Sequence, residues 1–329
     1  MVCKEFRNNK NIYHRYFPVD VNFLVKKFLD DWCPDLVLFV DSEIWPNTIL
    51  EIKRRKIKLS MINARITKKS FKKWILFPDT AKKIFSCFDL CLVSNNETKN
   101  FLRKFNSKKI KYHGNLKLSG NVNFKKDIDI NKKIFKNRKV WCAASTHKGE
   151  ESQCLKTHLA LKEIHKNILT IIIPRHINRS NEIKFLCDKL ELRSQVLKQN
   201  DSVKKDREIL IVNSFGMLPK YFKYSKSVFI GKSIIENLKQ VGGQNPIEAV
   251  KLGCKVYHGP FVYNFKEIYR LLKSWDVTEE IRNSKDLTKK LLYDFKNTKN
   301  NKDIISKKII KLGNRILDNT IKEVRNLIV

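Results

Sequence analysis

Charged and small residues follow two apolar runs in the second half of the chain, where they could bind a phosphorylated ligand. Arg175 comes directly after the run 169–174, and a planar guanidinium can donate to two oxygens of one phosphate. Gly216 lies in the turn 213–217, where a residue without a Cβ lets a ligand approach the backbone. The alternatives are a surface arginine in a very basic protein and a turn that merely needs one glycine.

A third turn, at residues 242–248, has the sequence Gly-Gly-Gln-Asn-Pro-Ile-Glu. Asn245 suits an N-cap, Pro246 suits the first helical position, and Glu248 follows Asn245 at the capping-box spacing. Taken alone, this pattern predicts only a well-capped helix. Free backbone N–H groups at a helix start can also bind phosphate, and Glu248 could accept two ribose hydroxyls. Three such turns in one half of the chain indicate a nucleotide site.

Charged residues also follow the apolar runs of the first half. Asp41 and Glu43 follow one run, Arg65 follows the next, and Lys117 follows the last. For each residue singly, a solvated surface charge is the simpler interpretation. Because the carboxyl ends of parallel strands meet at one edge of a sheet, their joint placement predicts that these four residues converge above one sheet.

The elements that must position these residues are short apolar runs that alternate with amphipathic segments. The runs are rich in β-forming residues and continuous rather than alternating, which is typical of parallel strands covered on both faces. Strand–helix alternation predicts parallel sheets with right-handed crossovers. The predicted strands occupy residues 35–40, 57–63, 90–94, 110–112, 140–144, 169–174, 209–212, 227–230 and 255–258.

The charged segment 120–139 has no clear periodicity, and we interpret it as a linker between two Rossmann-like halves. The predicted domains are therefore residues 1–125 and 126–300. A long amphipathic helix is expected over residues 301–329, with isoleucines and leucines at helical spacing.

The chain of 329 residues carries 68 Lys and Arg against 33 Asp and Glu, a net charge of +35. Such an excess suits nucleic acid, an anionic membrane surface or an anionic substrate, or reflects a drift towards lysine on every surface. The basic residues are dispersed, and no RNP, zinc-finger or basic-zipper pattern is present, so nucleic acid is not an expected partner. A membrane-associated enzyme that handles phosphorylated molecules fits the charge better.

The eight cysteines form no Cys-x-x-Cys pair, and none completes a metal site. Most lie in apolar contexts, which predicts buried free thiols in a reducing cytoplasm. We expect neither a secretory signal peptide nor a membrane-spanning helix, because no apolar run approaches the necessary length.

Taken in order, the motifs resemble those of the bacterial Kdo transferases, which attach 3-deoxy-D-manno-octulosonic acid (Kdo) to lipid A. Residues 41–47, Asp-Ser-Glu-Ile-Trp-Pro-Asn, resemble the family's Glu-Thr-Glu-Leu-Trp-Pro-Asn. Residues 143–151, Ala-Ala-Ser-Thr-His-Lys-Gly-Glu-Glu, and the turn 242–248 have similar counterparts. The series is completed by Asn-Ala-Arg at 63–65, Gly-Asn-Leu-Lys at 114–117, Pro-Arg-His at 174–176, Gly-Pro at 259–260 and Asn-Phe at 264–265.

This resemblance implies an α/β fold of GT-B type, with two Rossmann-like domains facing a cleft. The first domain would be the acceptor side and the second would bind the CMP-sugar. It implies CMP-Kdo as donor and a lipid A precursor, lipid IVA, as acceptor in lipopolysaccharide core biosynthesis. The reaction would invert the anomeric centre without a metal or cofactor, since CMP-Kdo is a substrate. The expected location is the cytoplasmic face of the bacterial inner membrane, with peripheral binding to the anionic surface.

The resemblance also implies roles for particular residues. Glu43 and Lys117 match positions that stabilise the transition state, and a cation at Lys117 could face the donor carboxylate or phosphate as charge develops. On the acceptor side would lie Asp41, Asn63 and Arg65. On the donor side would lie Ser145, Thr146, Pro174, Arg175, Phe215, Gly216, Met217, Asn245, Pro246, Ile247 and Glu248.

The chain departs from the family pattern in one important place. The family carries a Gly-x-Ser-Val-Gly-Glu loop whose Glu is the general base, and the sequence contains no such loop. The similarity starts only near residues 13–20, which predicts an incomplete N-terminal domain. Smaller departures are Asp41 for Glu, Gln244 for His and Met217 for Glu.

We therefore hypothesise that this polypeptide alone binds CMP or CMP-Kdo but transfers sugar poorly or not at all. The alternatives are a truncated, non-catalytic nucleotide-binding homologue and a GT-B glycosyltransferase with another donor.

Overall fold

The computed structural model describes residues 9–120, 132–297 and 302–328. Its contacts divide the chain into two units, the first comprising residues 1–116 and 315–329 and the second residues 117–314. This division differs from the predicted boundary at 125/126, and it assigns the two halves of the C-terminal helix to different units. Most of the predicted linker, residues 121–131, lies outside the described residues.

The first unit contains a parallel four-stranded sheet in the order β1-β2-β3-β4. The helices between its strands supply the crossovers that parallel pairing requires. The strands are β1 (Leu36–Val40), β2 (Lys58–Ala64), β3 (Leu90–Val93) and β4 (Ile110–Lys111). The helices are α1 (Asn22–Trp32), α2 (Pro46–Arg54), α3 (Lys68–Ile75), α4 (Pro78–Phe85) and α5 (Asn96–Lys104).

The core of the first unit lies between this sheet and its helices. Leu59 and Met61 from β2 are buried with Ile49 and Ile52 from α2. Residues of β2 and α2 therefore share one apolar core. Leu38 and Val40 of β1 are 38% and 47% exposed, so the strand at this edge of the sheet is covered less completely.

The second unit contains a parallel seven-stranded sheet in the order β11-β10-β9-β5-β6-β8-β7. The strands are β5 (Lys139–Thr146), β6 (Ile168–Pro174), β7 (Ser194–Leu197), β8 (Ile209–Val212), β9 (Ser227–Ile230), β10 (Lys255–His258) and β11 (Thr278–Glu280). The helices are α6 (Lys132–Lys136), α7 (Glu150–Ile164), α8 (Ser180–Lys189), α9 (Leu218–Phe222), α10 (Ile247–Lys251), α11 (Lys266–Lys273) and α12 (Ser284–Lys296). Helix α13 (Lys302–Arg325) is divided between the two units.

Strand β5 marks the point where the strand order reverses. The chain goes from β5 to β6 on one side, whereas β9 pairs with β5 on the other side. The loops that leave β5 and β9 therefore diverge at the carboxyl edge, and ligands of open α/β sheets bind at such switch points.

The predicted strands are all present, but the two edge strands of the second sheet were not predicted. β7 reads Ser-Gln-Val-Leu and β11 reads Thr-Glu-Glu. Short polar edge strands avoid pairing with other chains, and their polarity removes the apolar signal on which the prediction depended. Helices α3, α6 and α12 were also not predicted, and α6 lies within the segment interpreted as a linker.

The C-terminal helix is amphipathic, as predicted, but its buried stripe is narrower than the apolar pattern. Ile309 and Ile316, seven residues apart, are buried, whereas Ile304 and Ile310 are exposed. Of the cysteines in the described ranges, six are buried free thiols, Cys33 is exposed, and Cys3 lies outside them. Within the described residues, no helix has the length and apolarity needed to cross a bilayer.

Candidate functional site

A buried carboxylate joins the two loops at the switch point of the second sheet. Glu150, the first residue of α7, has no exposed surface. Its oxygens accept hydrogen bonds from the backbone N–H groups of His147, Lys232, Ser233 and Ile234 at 2.9, 2.7, 2.8 and 3.2 Å. Burial raises the pKa of Glu150, and the four N–H donors oppose that rise.

Close backbone contacts join these loops to the turn 242–248. The N–H of Gly243 donates to the carbonyl of Lys232 at 2.6 Å, and the N–H of Asn264 donates to the carbonyl of Gly242 at 2.9 Å. A Cβ on Gly242 would lie 2.2 Å from the carbonyl oxygen of Phe261, so only glycine fits there. Hydrogen bonds therefore join the loops after β5 and β9, the turn 242–248 and the loop after β10 at one edge of the sheet.

Arg175 and His176 lie in the loop after β6, as the sequence predicted. The N–H of Arg175 donates to the carbonyl of Thr146 at 3.0 Å, while its side chain is exposed. Arg179, near the end of this loop, forms an ion pair with the fully buried Glu151 at 2.6 Å. The Arg175 guanidinium is therefore exposed on a backbone that these contacts stabilise, and it can bind an anion.

His147 packs edge-on against His176, with ring centroids 5.8 Å apart. Burial lowers the pKa of His147, and the nearby cations Lys232 and Arg179 lower it further. The hydroxyl oxygen of Thr146 is buried and has no hydrogen-bond partner within the described chain. Ser145 precedes it with a left-handed φ of 56° at an irregularity in β5.

The turn after β8 carries an exposed aromatic side chain. Phe215 is 74% exposed, Gly216 adopts a φ of 75°, and Met217 is buried beneath them. A large aromatic ring held at a strand end offers a stacking surface for a planar base. Pro174 is the last residue of β6 and is buried.

In the turn 242–248, helix α10 begins at Ile247 and Pro246 occupies the N-cap position, one residue later than predicted. The side-chain oxygen of Asn245 accepts from the N–H of Ile247 at 3.0 Å, while Pro246 lies between them. Among the described residues, the Glu248 carboxylate does not form the hydrogen bond of the predicted capping box. Burial raises the pKa of Glu248, and Lys251 lowers it.

Lys117 groups with the second unit rather than with the first sheet. Its Nζ lies 6.0 Å from the ring centroid of Phe265, in the segment after β10. Next to it, buried Lys251 donates to the carbonyl of Leu118 at 2.6 Å and also to that of Gly120. Lys117 therefore lies beside the segment after β10 in the second unit. Its convergence with Asp41, Glu43 and Arg65 stays a prediction.

In the first unit, Asp41, Asn63 and Arg65 form one hydrogen-bonded network. Asn63 donates to Asp41 Oδ1 at 2.5 Å and accepts from the N–H of Leu116 at 2.9 Å. The N–H of Arg65 donates to the carbonyl of Asp41 at 3.0 Å. Asp41 and Asn63 have left-handed φ angles of 59° and 52°, a conformation that Asp and Asn tolerate better than most residues.

Glu43 is exposed, and its carboxylate accepts from Trp45 Nε1 at 2.9 Å. The start of α2 is capped by Asp20, whose carboxylate accepts from the N–H groups of Asn47 and Thr48 at 2.9 and 2.8 Å. Asp20 therefore orients the segment that presents Glu43.

Four residues of these arrangements were not predicted: Asp20, Glu150, Arg179 and Lys251. Glu150 and Arg179 carried weak signals, since each lies next to a motif at a strand end. The partners of Asp20 and Lys251 are 27 or more residues away in the chain, so no local pattern could reveal them. No cluster of three or more His, Cys, Asp or Glu side chains among the described residues could hold a metal ion.

Comparison with known proteins shows what the chain resembles. The family model described as 3-deoxy-D-manno-octulosonic-acid transferase (kdotransferase) matches residues 1–119. This part of the chain is therefore similar to the Kdo transferases. It is 27% identical over 298 residues to the 3-deoxy-D-manno-octulosonic acid transferase of Haemophilus influenzae, covering 89% of this chain and 69% of that protein. It is 33% identical over 285 residues to that of Rickettsia felis, covering 85% of this chain and 60% of that protein.

Two solved structures agree in fold. A glycosyltransferase from Rickettsia africae aligns with a TM-score of 0.61 at 14% identity, covering 99% of this chain and 87% of that one. A UDP-N-acetylglucosamine 2-epimerase from Rickettsia bellii aligns with a TM-score of 0.56 at 13% identity, covering 92% and 76%. The predicted α/β fold of GT-B type is confirmed. Because the chain spans only 60% of the Rickettsia felis relative, its own activity is a matter for proposal.

Proposed function

We propose that this Kdo transferase relative moves Kdo from CMP-Kdo to a lipid A precursor such as lipid IVA, with inversion and without a metal. One observation carries the proposal. Every donor motif of the second unit lies on loops at the carboxyl edge of one sheet, around its switch point, and hydrogen bonds join the loops after β5, β6 and β9 to one another. Such an edge is where α/β folds bind nucleotides.

The exposed groups at this edge suit the three parts of CMP. The Arg175 guanidinium would bind the phosphate, and the Phe215 ring would stack on cytosine. Glu248, whose carboxylate is half-buried, would accept the ribose hydroxyls. Ser145 and Thr146 would line the neighbouring loop, and the turn 245–248 would hold the nucleotide in place.

In the proposed transfer, an acceptor hydroxyl oxygen bonds to the anomeric carbon while the bond to the CMP phosphate breaks. Negative charge then grows on the leaving phosphate, and Lys117 beside the donor loops would stabilise it. Glu43 would stabilise the transition state, and Asp41, Asn63 and Arg65 would bind the acceptor. The acceptor proton must pass to a base, and we assign that role to no residue of this chain.

We also propose that the protein works at the cytoplasmic face of the inner membrane, bound peripherally to anionic lipid. The net charge of +35 supports this location, because each basic residue near an anionic surface contributes about 1 kcal/mol.

The proposal is tested by calorimetry with CMP, followed by transfer from CMP-Kdo to lipid IVA in anionic vesicles. Arg175→Ala should weaken CMP binding at least about tenfold, the value of a charged hydrogen bond. Arg193→Ala, an exposed arginine at the opposite edge of the same sheet, is the matched control and should bind normally.

A chain that binds uridine or guanosine nucleotides in preference to CMP would indicate a different donor. CMP binding that Arg175→Ala abolishes, without transfer, would favour the non-catalytic nucleotide-binding homologue. No binding of any nucleotide would contradict both.

A further inference from the structure

An exposed apolar tip lies between helices α3 and α4 of the first unit. Ile75, Leu76 and Phe77 follow one another in sequence and are 48%, 72% and 66% exposed. Their backbone is ordered, since the N–H groups of Leu76 and Phe77 donate to the carbonyls of Lys73 and Trp74 at 3.3 and 3.1 Å. Three consecutive large apolar side chains exposed on one turn form a patch that is typical of an interaction site.

The tip stands on a packed aromatic base. Trp74 contacts Phe85 edge-on at 5.3 Å, which ties α3 to α4. Phe71 is buried and stacks on Phe101 of α5 at 4.0 Å. Phe71 and Trp74 of α3 therefore pack against other aromatic rings of the first unit, whereas the tip residues are exposed.

Lysines surround this tip on both sides. Residues 68–83, which we call the lysine hairpin, contain six lysines and one acidic residue, Asp79, so the net charge is +5. The exposed lysines are Lys68, Lys69, Lys72, Lys73, Lys82 and Lys83. Apolar side chains at the tip with lysines around them match an anionic lipid surface. The apolar side chains would enter the boundary between headgroups and acyl chains, and the lysines would pair with lipid phosphates.

We propose that the lysine hairpin is the surface by which this protein docks on an anionic membrane. A second copy of the chain is a poorer occupant, because two hairpins of charge +5 would repel each other. The inference rests on the proposed function only for its membrane location, and it assigns that location to particular residues.

The test measures cosedimentation with vesicles of phosphatidylcholine mixed with phosphatidylglycerol, without donor or acceptor. Leu76→Asn with Phe77→Ser should weaken binding about tenfold or more, because two apolar contacts are lost. Val19→Asn with Phe23→Ser, an equally exposed apolar pair in the same unit, should bind as the unaltered protein does.

A second pair of variants tests the charge. Replacing Lys69, Lys72 and Lys73 by Gln should weaken binding by about a hundredfold, at roughly fivefold per lysine. Replacing the exposed Lys198, Lys204 and Lys205 by Gln removes the same charge from the second unit and should have a much smaller effect.

Insertion is read directly by placing a tryptophan at the tip. Phe77→Trp should be quenched by brominated lipid, and Phe23→Trp should not. Equal losses in the matched variants, quenching only at Phe23→Trp, or concentration-dependent dimerisation that Leu76→Asn with Phe77→Ser removes would each overturn the proposal. CMP binding measured in solution should be unchanged in all tip variants, so failure here is distinct from failure of the proposed function.

Discussion

The two units hold their strand-end residues in different ways. In the second unit, the fully buried Glu150 carboxylate accepts four backbone N–H groups from two loops. In the first unit, the Asn63 side chain donates to Asp41 Oδ1 at 2.5 Å, and Asp41 is partly exposed. Charge-assisted bonds are stronger and lose less to solvent when buried. The proposed donor edge is therefore the more rigidly preorganised of the two.

The largest effect on the difference between the two units is expected from substitution of Glu150. Glu150→Gln leaves one acceptor oxygen for four N–H donors and turns an amide group towards them, so we expect a loss of about 3 kcal/mol in the free energy of unfolding. CMP affinity should fall with it, because the loops after β5 and β9 lose their common partner. Urea unfolding and calorimetry measure the two effects.

Glu163→Gln is the control, since Glu163 is exposed on the same helix. A loss below 1 kcal/mol for Glu150→Gln would show that backbone contacts alone hold the loops.

A smaller effect is expected at Asn63. Asn63→Ala removes hydrogen bonds to Asp41 and Leu116 and places alanine at a φ of 52°, which together should cost about 2 kcal/mol. CMP affinity should not change, because the proposed donor edge lies in the second unit. Asn63→Gly relieves the backbone strain and should recover about 1 kcal/mol. Equal losses for the two variants would show that the backbone angle contributes nothing.

The smallest effect concerns the partly exposed ion pairs that Glu51 forms with Arg54 and Arg55 at the end of α2. A hydrogen bond from Arg54, with another from Arg55, lowers the pKa of Glu51 from 4.5 to about 2. The resulting stability is present above pH 4.5 and is lost as the pH falls towards 2. Because Arg54 is largely exposed, the loss should be below about 1 kcal/mol.

Acid titrations of urea unfolding for the unaltered protein and for Glu51→Gln measure this contribution. The variant should lose less stability between pH 4.5 and 2. Parallel curves for the two proteins would show that the ion pairs contribute nothing to folding.

Much of the fold was predictable because buried parallel strands have an unmistakable composition. β6, Ile-Leu-Thr-Ile-Ile-Ile-Pro, is buried at every residue, so its position could be read directly. The polar edge strand β11 carried no such signal. Helix α3, Lys-Lys-Ser-Phe-Lys-Lys-Trp-Ile, was missed because its few apolar residues are split between the core and the exposed tip.

Residues at strand ends can be identified from the sequence, because a change from apolar to polar residues marks the carboxyl end of a buried strand. Arg175 and Phe215 were placed in this way. Two contacts are evident only in the folded chain: Glu150 joins the loops after β5 and β9, and Lys117 lies beside Phe265 in the second unit. Those contacts join residues 82 and 148 positions apart, and such pairings are set by strand order and backbone approach, which leave no local pattern in the chain.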